Sequence, residues 1–255
     1  MNRRLLFGTV AVVLVVSLAG CATIFGGISD EDLDRETDYD DLKSSDADVA
    51  IDIETSGILR GGEFRAVYDL NGTDELSLYR TQFYRDQALD IHSVRYWYPN
   101  GTELNGSELD VDQGRSSTEI AVPDGNGTLA ISGSAGRSTF TLPAFIEGSY
   151  EVTLPDGRST STFLFGSVSP GGYDRETVDD REQLRWDEND STIALRYYQT
   201  WMIPIFVGFV AVVLVLGGAA VGLTYRQMKR LQRRREELGL DIDDEDGGRR
   251  PPGFG

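Results

Sequence analysis

Between residues 49 and 200, apolar and polar positions alternate with a period of two, which is typical of strands with one buried face. The stretches 49–53 and 65–70 show this most clearly, and turn sequences such as Pro155-Asp156-Gly157 separate the apolar runs. The pattern predicts about ten short strands. We therefore expect a mainly β domain over 49–200, an antiparallel β-sandwich for which an immunoglobulin-like arrangement is one option.

Two acidic segments lack this alternation. Residues 21–48 are rich in aspartate and poor in apolar side chains, so we expect a disordered tether there. Residues 173–190 are also acidic, and we expect a loop or a short helix crossing the domain.

The run 202–224 has no charged side chain and, at ~1.5 Å per residue, spans roughly 34 Å as a helix. That length crosses the ~30 Å hydrocarbon layer, so we predict a transmembrane helix over 201–225. Aromatic residues flank the run and basic residues follow it, which places the tail 226–255 in the cytoplasm and the β domain outside the cell. The predicted interface anchors are Tyr197, Tyr198, Trp201, Tyr225, Arg226, Lys229 and Arg230.

Residues 1–20 combine two arginines with a short apolar run and small residues, the pattern of an export signal peptide. The motif Leu18-Ala19-Gly20-Cys21 that closes it resembles the lipobox of exported lipoproteins. The resemblance implies that Cys21 carries a lipid and becomes the first mature residue. An ordinary signal peptide or an uncleaved anchor remains the alternative.

The formal net charge is −18, and Lys43 and Lys229 are the only lysines. This excess of acid excludes attraction to nucleic acid. In composition and order of parts, and in the stretches 145–157 and 168–173, the whole chain resembles surface lipoproteins of unknown function from haloarchaea. The resemblance implies a location at the cell envelope, and it brings no catalytic residue or ligand.

Asparagines in the motif Asn-X-Ser/Thr are acceptors for N-linked glycans. The chain has five such sequons in the part that we place outside the cell, although Asn-Gly is also simply good turn chemistry. The candidate sites are Asn71, Asn100, Asn105, Asn126 and Asn189.

Few residues suit catalysis or metal binding. Cys21 is the sole cysteine, which excludes an intramolecular disulfide and a cysteine-rich zinc site. His92 is the sole histidine, and no Gly-X-Ser-X-Gly nucleophile motif accompanies it. We predict no catalytic, cofactor-binding or metal-binding residue, no cofactor and no enzymatic activity.

The leading hypothesis is a non-enzymatic surface lipoprotein whose ectodomain binds an envelope protein or a glycan. The alternative is an accessory subunit of a membrane transport or respiratory complex, since small residues around Gly217 and Gly218 allow close helix contact. A third hypothesis is an extracellular hydrolase that uses paired carboxylates.

Overall fold

The computed structural model describes residues 27–55, 61–82, 85–161 and 164–237. The chain divides into two compact units, Met1–Thr200 and Trp201–Gly255. The first holds the strands, and the second holds a long helix. The predicted signal peptide 1–20 and Cys21 lie outside the described residues.

The described part of the first unit contains seventeen strands, more than the pattern predicts, because many are only two to four residues long. So short an alternation cannot be distinguished from a loop in the sequence. The strands are β1 (Val49–Thr55), β2 (Gly62–Asn71), β3 (Glu75–Gln82), β4 (Arg85–Ala88), β5 (Ile91–Trp97), β6 (Glu103–Asn105), β7 (Asp110–Gln113), β8 (Thr118–Ala121), β9 (Asn126–Ala135), β10 (Thr139–Leu142), β11 (Gly148–Thr153), β12 (Arg158–Ser159), β13 (Ser167–Ser169), β14 (Asp174–Val178), β15 (Arg181–Asn189), β16 (Ile193–Arg196) and β17 (Tyr198–Gln199). A 3-10 turn, Gly106–Glu108, follows β6.

Eight strands form the main sheet, in the order β14-β15-β11-β1-β2-β9-β5-β6. The predicted mainly β fold with antiparallel sheets is confirmed, but β1 and β11 run parallel, with Val49 opposite Tyr150. A parallel pair needs a long crossover, and β2 to β10 supply it here. Spacing along the chain cannot reveal such a pairing, because the two strands are about a hundred residues apart in sequence.

The core lies on one face of the main sheet. Alternate residues of β1 and β2, such as Ile51, Ile53 and Phe64, point into it and are almost fully buried. Leu78 of the sheet β4-β3-β8-β7 and Leu195 of the sheet β10-β16-β13 belong to the same apolar cluster. The smaller sheets therefore cover the inner face of the larger one.

The segment before β1 covers part of the opposite, outer face. Two short helices, α1 (Asp30–Leu33) and α2 (Asp40–Lys43), bury Leu33, Tyr39 and Leu42. The prediction of a disordered tether is therefore wrong for residues 27–48. Three apolar side chains spaced among acids are too few to show a period. In the structure Tyr39 and Leu42 pack on the outer face against Ala50, Val67 and Ala130, whereas Leu33 joins the core cluster.

The prediction of a loop or a short helix over residues 173–190 is also wrong, because this segment forms the hairpin of β14 and β15. Asp179 and Asp180 both have positive φ, 50° and 63°, as in the two-residue turns that match strand twist. Leu184 and Trp186 point into the core, whereas β14 is an exposed edge strand. Acidic residues on the outer positions hide the alternation in the sequence.

The second unit contains α3 (Met202–Glu237), an α-helix of 36 residues. Its most apolar window has a mean hydropathy of 2.6, and none of that window is buried. By length and composition, α3 could cross a membrane. The first unit ends just before it, where β12 pairs with β17.

Candidate functional site

The outer face of the main sheet carries a buried charged cluster at Asp52, whose side chain is only 3% exposed. Asp52 lies opposite Arg65 in the β1–β2 register and accepts a hydrogen bond from its Nη2 at 2.6 Å. The other carboxylate oxygen accepts from Nη2 of Arg181. One carboxylate therefore bridges two guanidinium groups from β2 and β15.

Arg65 also joins this cluster to the N-terminal segment. It donates to both carboxylate oxygens of Asp41, at 3.2 and 3.0 Å, and to the carbonyl oxygen of Asp38 at 2.5 Å. Burial acts to lower the pKa of Arg65, but the hydrogen bond to Asp52 and the charges of Asp41 and Asp52 outweigh it, so that pKa is raised. The guanidinium is held charged, as a fixed cross-link between sheet and segment.

A pocket of about 550 Å³ lies where the N-terminal segment begins to cross the sheet. His92, Asp32, Arg35, Gln113 and Ser134 are among the residues that line it. The Nε2 atom of His92 is paired with Oε1 of Glu63, and Arg35 donates to Asp32 at 2.6 Å. Asp32 and Arg35 are therefore paired with each other and His92 is paired with Glu63, while Asp90 is a further ionisable residue of the lining.

A bulge in β5 sets the position of His92. The register with β9 shifts between His92 and Arg95, and Ser93 has a positive φ of 54° at a fully buried position. The Tyr39 hydroxyl donates to the Ser93 carbonyl at 2.5 Å and lies 2.8 Å from Oγ of Ser132. Through these contacts, Tyr39 of the N-terminal segment stabilises the irregular backbone of the bulge on the outer face of the sheet.

Hydrogen bonds to Asp32 and Asp34 help to hold the first part of the N-terminal segment in place. The hydroxyl of Ser29 caps α1 and bonds to Asp32, which lowers the pKa of that carboxyl. The backbone N–H and hydroxyl of Ser107 bond to Asp34 and lower the pKa of its carboxyl as well. Arg95 donates to the carbonyl of Asp34 at 2.9 Å. Asp32 and Asp34 therefore each have their own hydrogen-bond partner, which the run of acids in the sequence does not reveal.

The chemistry available here is limited. His92 and Glu63 form an imidazole–carboxylate pair, which could orient a polar ligand or relay a proton. Among the residues that the structure describes, no group of three or more His, Cys, Asp or Glu side chains is placed to hold a metal ion. The pocket is better suited to contacting a small polar group than to converging catalytic side chains on one atom.

The predicted site residues separate into distinct regions. Trp201 and Tyr225 are exposed, with exposures of 58% and 63%, as membrane-interface anchors require. The basic anchors Arg226, Lys229 and Arg230 are exposed on α3. Of the sequon asparagines, Asn189 is buried, and four are exposed: Asn71, Asn100, Asn105 and Asn126.

The predicted role of Tyr197 and Tyr198 as membrane-interface anchors is wrong, because both side chains are buried in the β unit. The Tyr197 hydroxyl donates to the Gly136 carbonyl at 2.7 Å, and burial raises its pKa. Their rings pack within the β unit, around the end of β16 and the start of β17, and are therefore not available as interface anchors. Nearness to the apolar run in sequence suggested the wrong role.

Sequence reasoning missed Asp52, Arg65, Arg181 and Tyr39. Each polar side chain occupies the outer position of an alternating strand, where a solvated charge is the usual expectation. The segment 27–48 packs on part of this face through Tyr39 and Leu42, and Arg181 also covers Asp52. The signal in the sequence was the presence of Leu33, Tyr39 and Leu42 within an acidic stretch, which indicates that the stretch packs against the domain.

Comparison with known proteins adds a family. The model of a protein family, described as "Family of unknown function (DUF5803)", matches residues 45–243. The chain belongs to this family. The match includes the main sheet and the apolar part of α3, whereas most of the docked N-terminal segment precedes it. No curated protein matches the chain.

Removing the charge of Asp52 should expose its structural role. Asp52→Asn keeps the side-chain shape but leaves Arg65 and Arg181 facing each other without the shared carboxylate. We expect the free energy of unfolding to fall by about 3–5 kcal/mol. Denaturant unfolding of the full chain in detergent, followed by tryptophan fluorescence, measures it.

Asp156→Asn is the matched control, since Asp156 also pairs with Arg181, at 3.5 Å, but its side chain is 92% exposed. Its loss should cost less than about 1 kcal/mol. Equal effects of the two substitutions would contradict a buried cluster at Asp52.

Alkaline pH should lower the stability of the β unit through Tyr39. Burial raises the pKa of Tyr39 from 10.0 to about 12. Between these values the unfolded chain loses the proton and the folded chain keeps it, so the free energy of unfolding falls as pH rises. Tyr39→Phe should reduce that fall by about 1.4 kcal/mol per pH unit.

The measurement is denaturant unfolding of both proteins at several pH values between about 10 and 12. Tyr150→Phe is the comparison, because burial also raises the pKa of Tyr150 to about 12 and its hydroxyl donates to Ile146 within the β unit. An unchanged slope in Tyr39→Phe would mean that the ring is not held in the buried site.

Proposed function

We propose that this chain is a single-pass membrane protein that presents its β unit on the outer face of the cell membrane. The observation that carries the proposal is α3: its apolar residues 203–224 are almost all exposed in the described structure. Exposed apolar surface of this extent requires a nonpolar surrounding. Lipid meets that requirement along the apolar part of the helix.

The orientation is supported by charge. Exposed basic residues follow the apolar part of α3 within three turns: Arg226, Lys229, Arg230, Arg233 and Arg234. Basic residues close to a membrane span favour the cytoplasmic side. The β unit, with its acidic excess, then lies outside the cell.

The role of the displayed unit is proposed as binding rather than catalysis. Support comes from the pairing within the His92 pocket and the Asp52 cluster, where charged groups neutralise one another. A stable, self-compensated surface suits recognition of an envelope protein or a glycan. The lipid on Cys21 remains part of this proposal, as a second attachment to the same membrane.

An accessory role in a membrane complex is the second candidate. Its support is the group of small residues in α3, where Gly217, Gly218 and Gly222 have open space at the Cβ position. Such positions allow another helix to approach closely.

Labelling of single cysteines on intact cells tests the topology. Glu176→Cys lies on the exposed edge strand β14, and Gln232→Cys lies on α3 beyond the apolar run. A membrane-impermeant maleimide should label the first variant before lysis and the second only after lysis. The unsubstituted chain, which contains Cys21, gives the background for both. The reverse pattern would contradict the outward orientation.

Exchange of the span separates the two candidate roles. We expect a chain whose residues 202–224 are replaced by an unrelated leucine-rich span to keep the partners that co-purify with the native protein, because the β unit makes the contacts. Mass spectrometry of cross-linked complexes from both chains provides the comparison. Loss of those partners would instead favour a subunit that associates through α3.

A further inference from the structure

The register of the main sheet distinguishes its two ends. At one end, which we call the exit end, β1 finishes at Thr55 opposite Gly62, the first residue of β2. At the other, the far end, β2 finishes at Asn71 opposite Asn126, the first residue of β9. The ten residues of β2 separate the ends by roughly 30 Å.

The chain leaves the β unit at the exit end. Since β11 runs parallel to β1, it also finishes there, and the turn 155–157 follows it. The backbone N–H of Thr200 donates to the Gly157 carbonyl at 3.0 Å. Only Trp201 lies between Thr200 and α3, so this end of the sheet is close in sequence to the proposed membrane span.

The described chain also begins at the exit end. Gly27 and Ser29 line the His92 pocket together with Asp90 and Ser134. Ser134 lies opposite Glu63, next to the first residue of β2. Both connections of the β unit, towards Cys21 and towards α3, therefore depart from the same end.

Three of the exposed sequons lie at the other end of the sheet. Asn71 and Asn126 are register partners at the far end itself. Asn100 lies in the turn between β5 and β6, just beyond the pair of Trp97 and Glu103. Asn105 differs, because its partner Arg95 pairs with Ala130, which lies opposite Val67 near the middle of β2.

These four side chains are exposed, but the fifth sequon is different. Asn189 is 4% exposed, and its Nδ2 atom donates to the carbonyl of Ser191 at 2.9 Å. Its Oδ1 accepts from the backbone N–H of Ser191 at 3.2 Å. Nδ2 of Asn126 also has a local bond, to the Asp124 carbonyl at 3.2 Å, but that side chain is exposed, whereas the amide of Asn189 is both bonded and buried.

We propose that Asn71, Asn100, Asn105 and Asn126 carry N-linked oligosaccharides, that those on Asn71, Asn100 and Asn126 form a cap on the membrane-distal end of the β unit, and that Asn189 is unmodified. This rests on the proposed outward orientation. In each transfer, Nδ2 forms a bond to C1 of the first sugar, and the bond from C1 to a phosphate oxygen of a lipid-phosphate-linked oligosaccharide breaks. The lipid phosphate leaves and one amide proton passes to solvent.

The arrangement has a physical consequence for recognition. Hydrated glycans at the far end would prevent close protein contact there, and the exit end is occupied by the two membrane connections. A protein partner then has access to the sides of the unit, whereas a glycan-binding partner would meet the cap first. The sheet edge β14, which contains no sequon, is the lateral surface that remains.

Glycopeptide mass spectrometry of the full chain, purified from its native membranes, tests the proposal. We expect oligosaccharide on the peptides containing the four exposed asparagines and none on the peptide containing Asn189. Replacing all four by Gln should remove the entire glycan mass. Ser191→Ala, which destroys the fifth sequon but leaves the backbone partners of Asn189 in place, should leave the mass of glycan unchanged.

Sugar on Asn189, or bare asparagines at the other four positions, would overturn the proposal. Cysteine labelling of the same cells separates this failure from that of the topology. Bare asparagines on a chain labelled at Glu176→Cys from outside refute the cap alone. Bare asparagines on a chain labelled only at Gln232→Cys refute the outward orientation as well.

The polarity of the unit can be measured without glycans. In a Cys21→Ala background, a fluorophore on Arg158→Cys reports the exit end and one on Thr102→Cys reports the far end. The full chain is reconstituted in vesicles that contain a quencher attached to lipid headgroups. We expect stronger quenching at position 158, and equal or reversed quenching would overturn the assignment of the far end as membrane-distal.

Discussion

The β unit depends on the compensation of one buried negative charge. Asp52 lies on the central strand β1, where an unpaired carboxylate would be strongly destabilising. Arg65 and Arg181 neutralise it, and Arg181 also donates to the carbonyls of Leu154 and Ile53. Because each guanidinium has several donors in a fixed plane, the cluster ties β15 and the end of β11 to β1 as well as neutralising Asp52.

The same cluster explains why the N-terminal segment is ordered. Arg65 bonds to the segment at Asp38 and Asp41 as well as to Asp52, so the segment and the sheet share this guanidinium. The segment supplies Asp41 as a further partner and adds Tyr39 and Leu42 as apolar contacts. Ionic and apolar contacts thus support each other, which is why an acidic segment can pack on a charged sheet face.

Docking of the segment also fixes where the chain enters the β unit. A disordered segment over residues 27–48 would leave that point undefined. In the structure Gly27 and Ser29 line the His92 pocket, at the end of the sheet where Thr200 bonds to Gly157. The two chain connections of the β unit therefore leave from the same end of the main sheet, and the pair of Asn71 and Asn126 marks the opposite end.

The family match assigns the β unit and α3 together to DUF5803, but it carries no activity. The function therefore has to be argued from geometry. The strongest features are the apolar helix, the internally paired pocket at His92 and the separation of the sequons from the chain connections. Each concerns display and access, and all three agree with a surface protein that binds.

The sequence by itself determined the class of structure, because local signals suffice for it. Alternation revealed strands at 49–53 and 65–70, and the uncharged run 202–224 predicted α3. The parallel pairing of β1 with β11, the burial of Tyr197 and Tyr198 and the docking of 27–48 were decided only by tertiary structure. Each depends on which surfaces meet after folding, since a polar residue at an outer strand position is solvated or buried according to what packs above it.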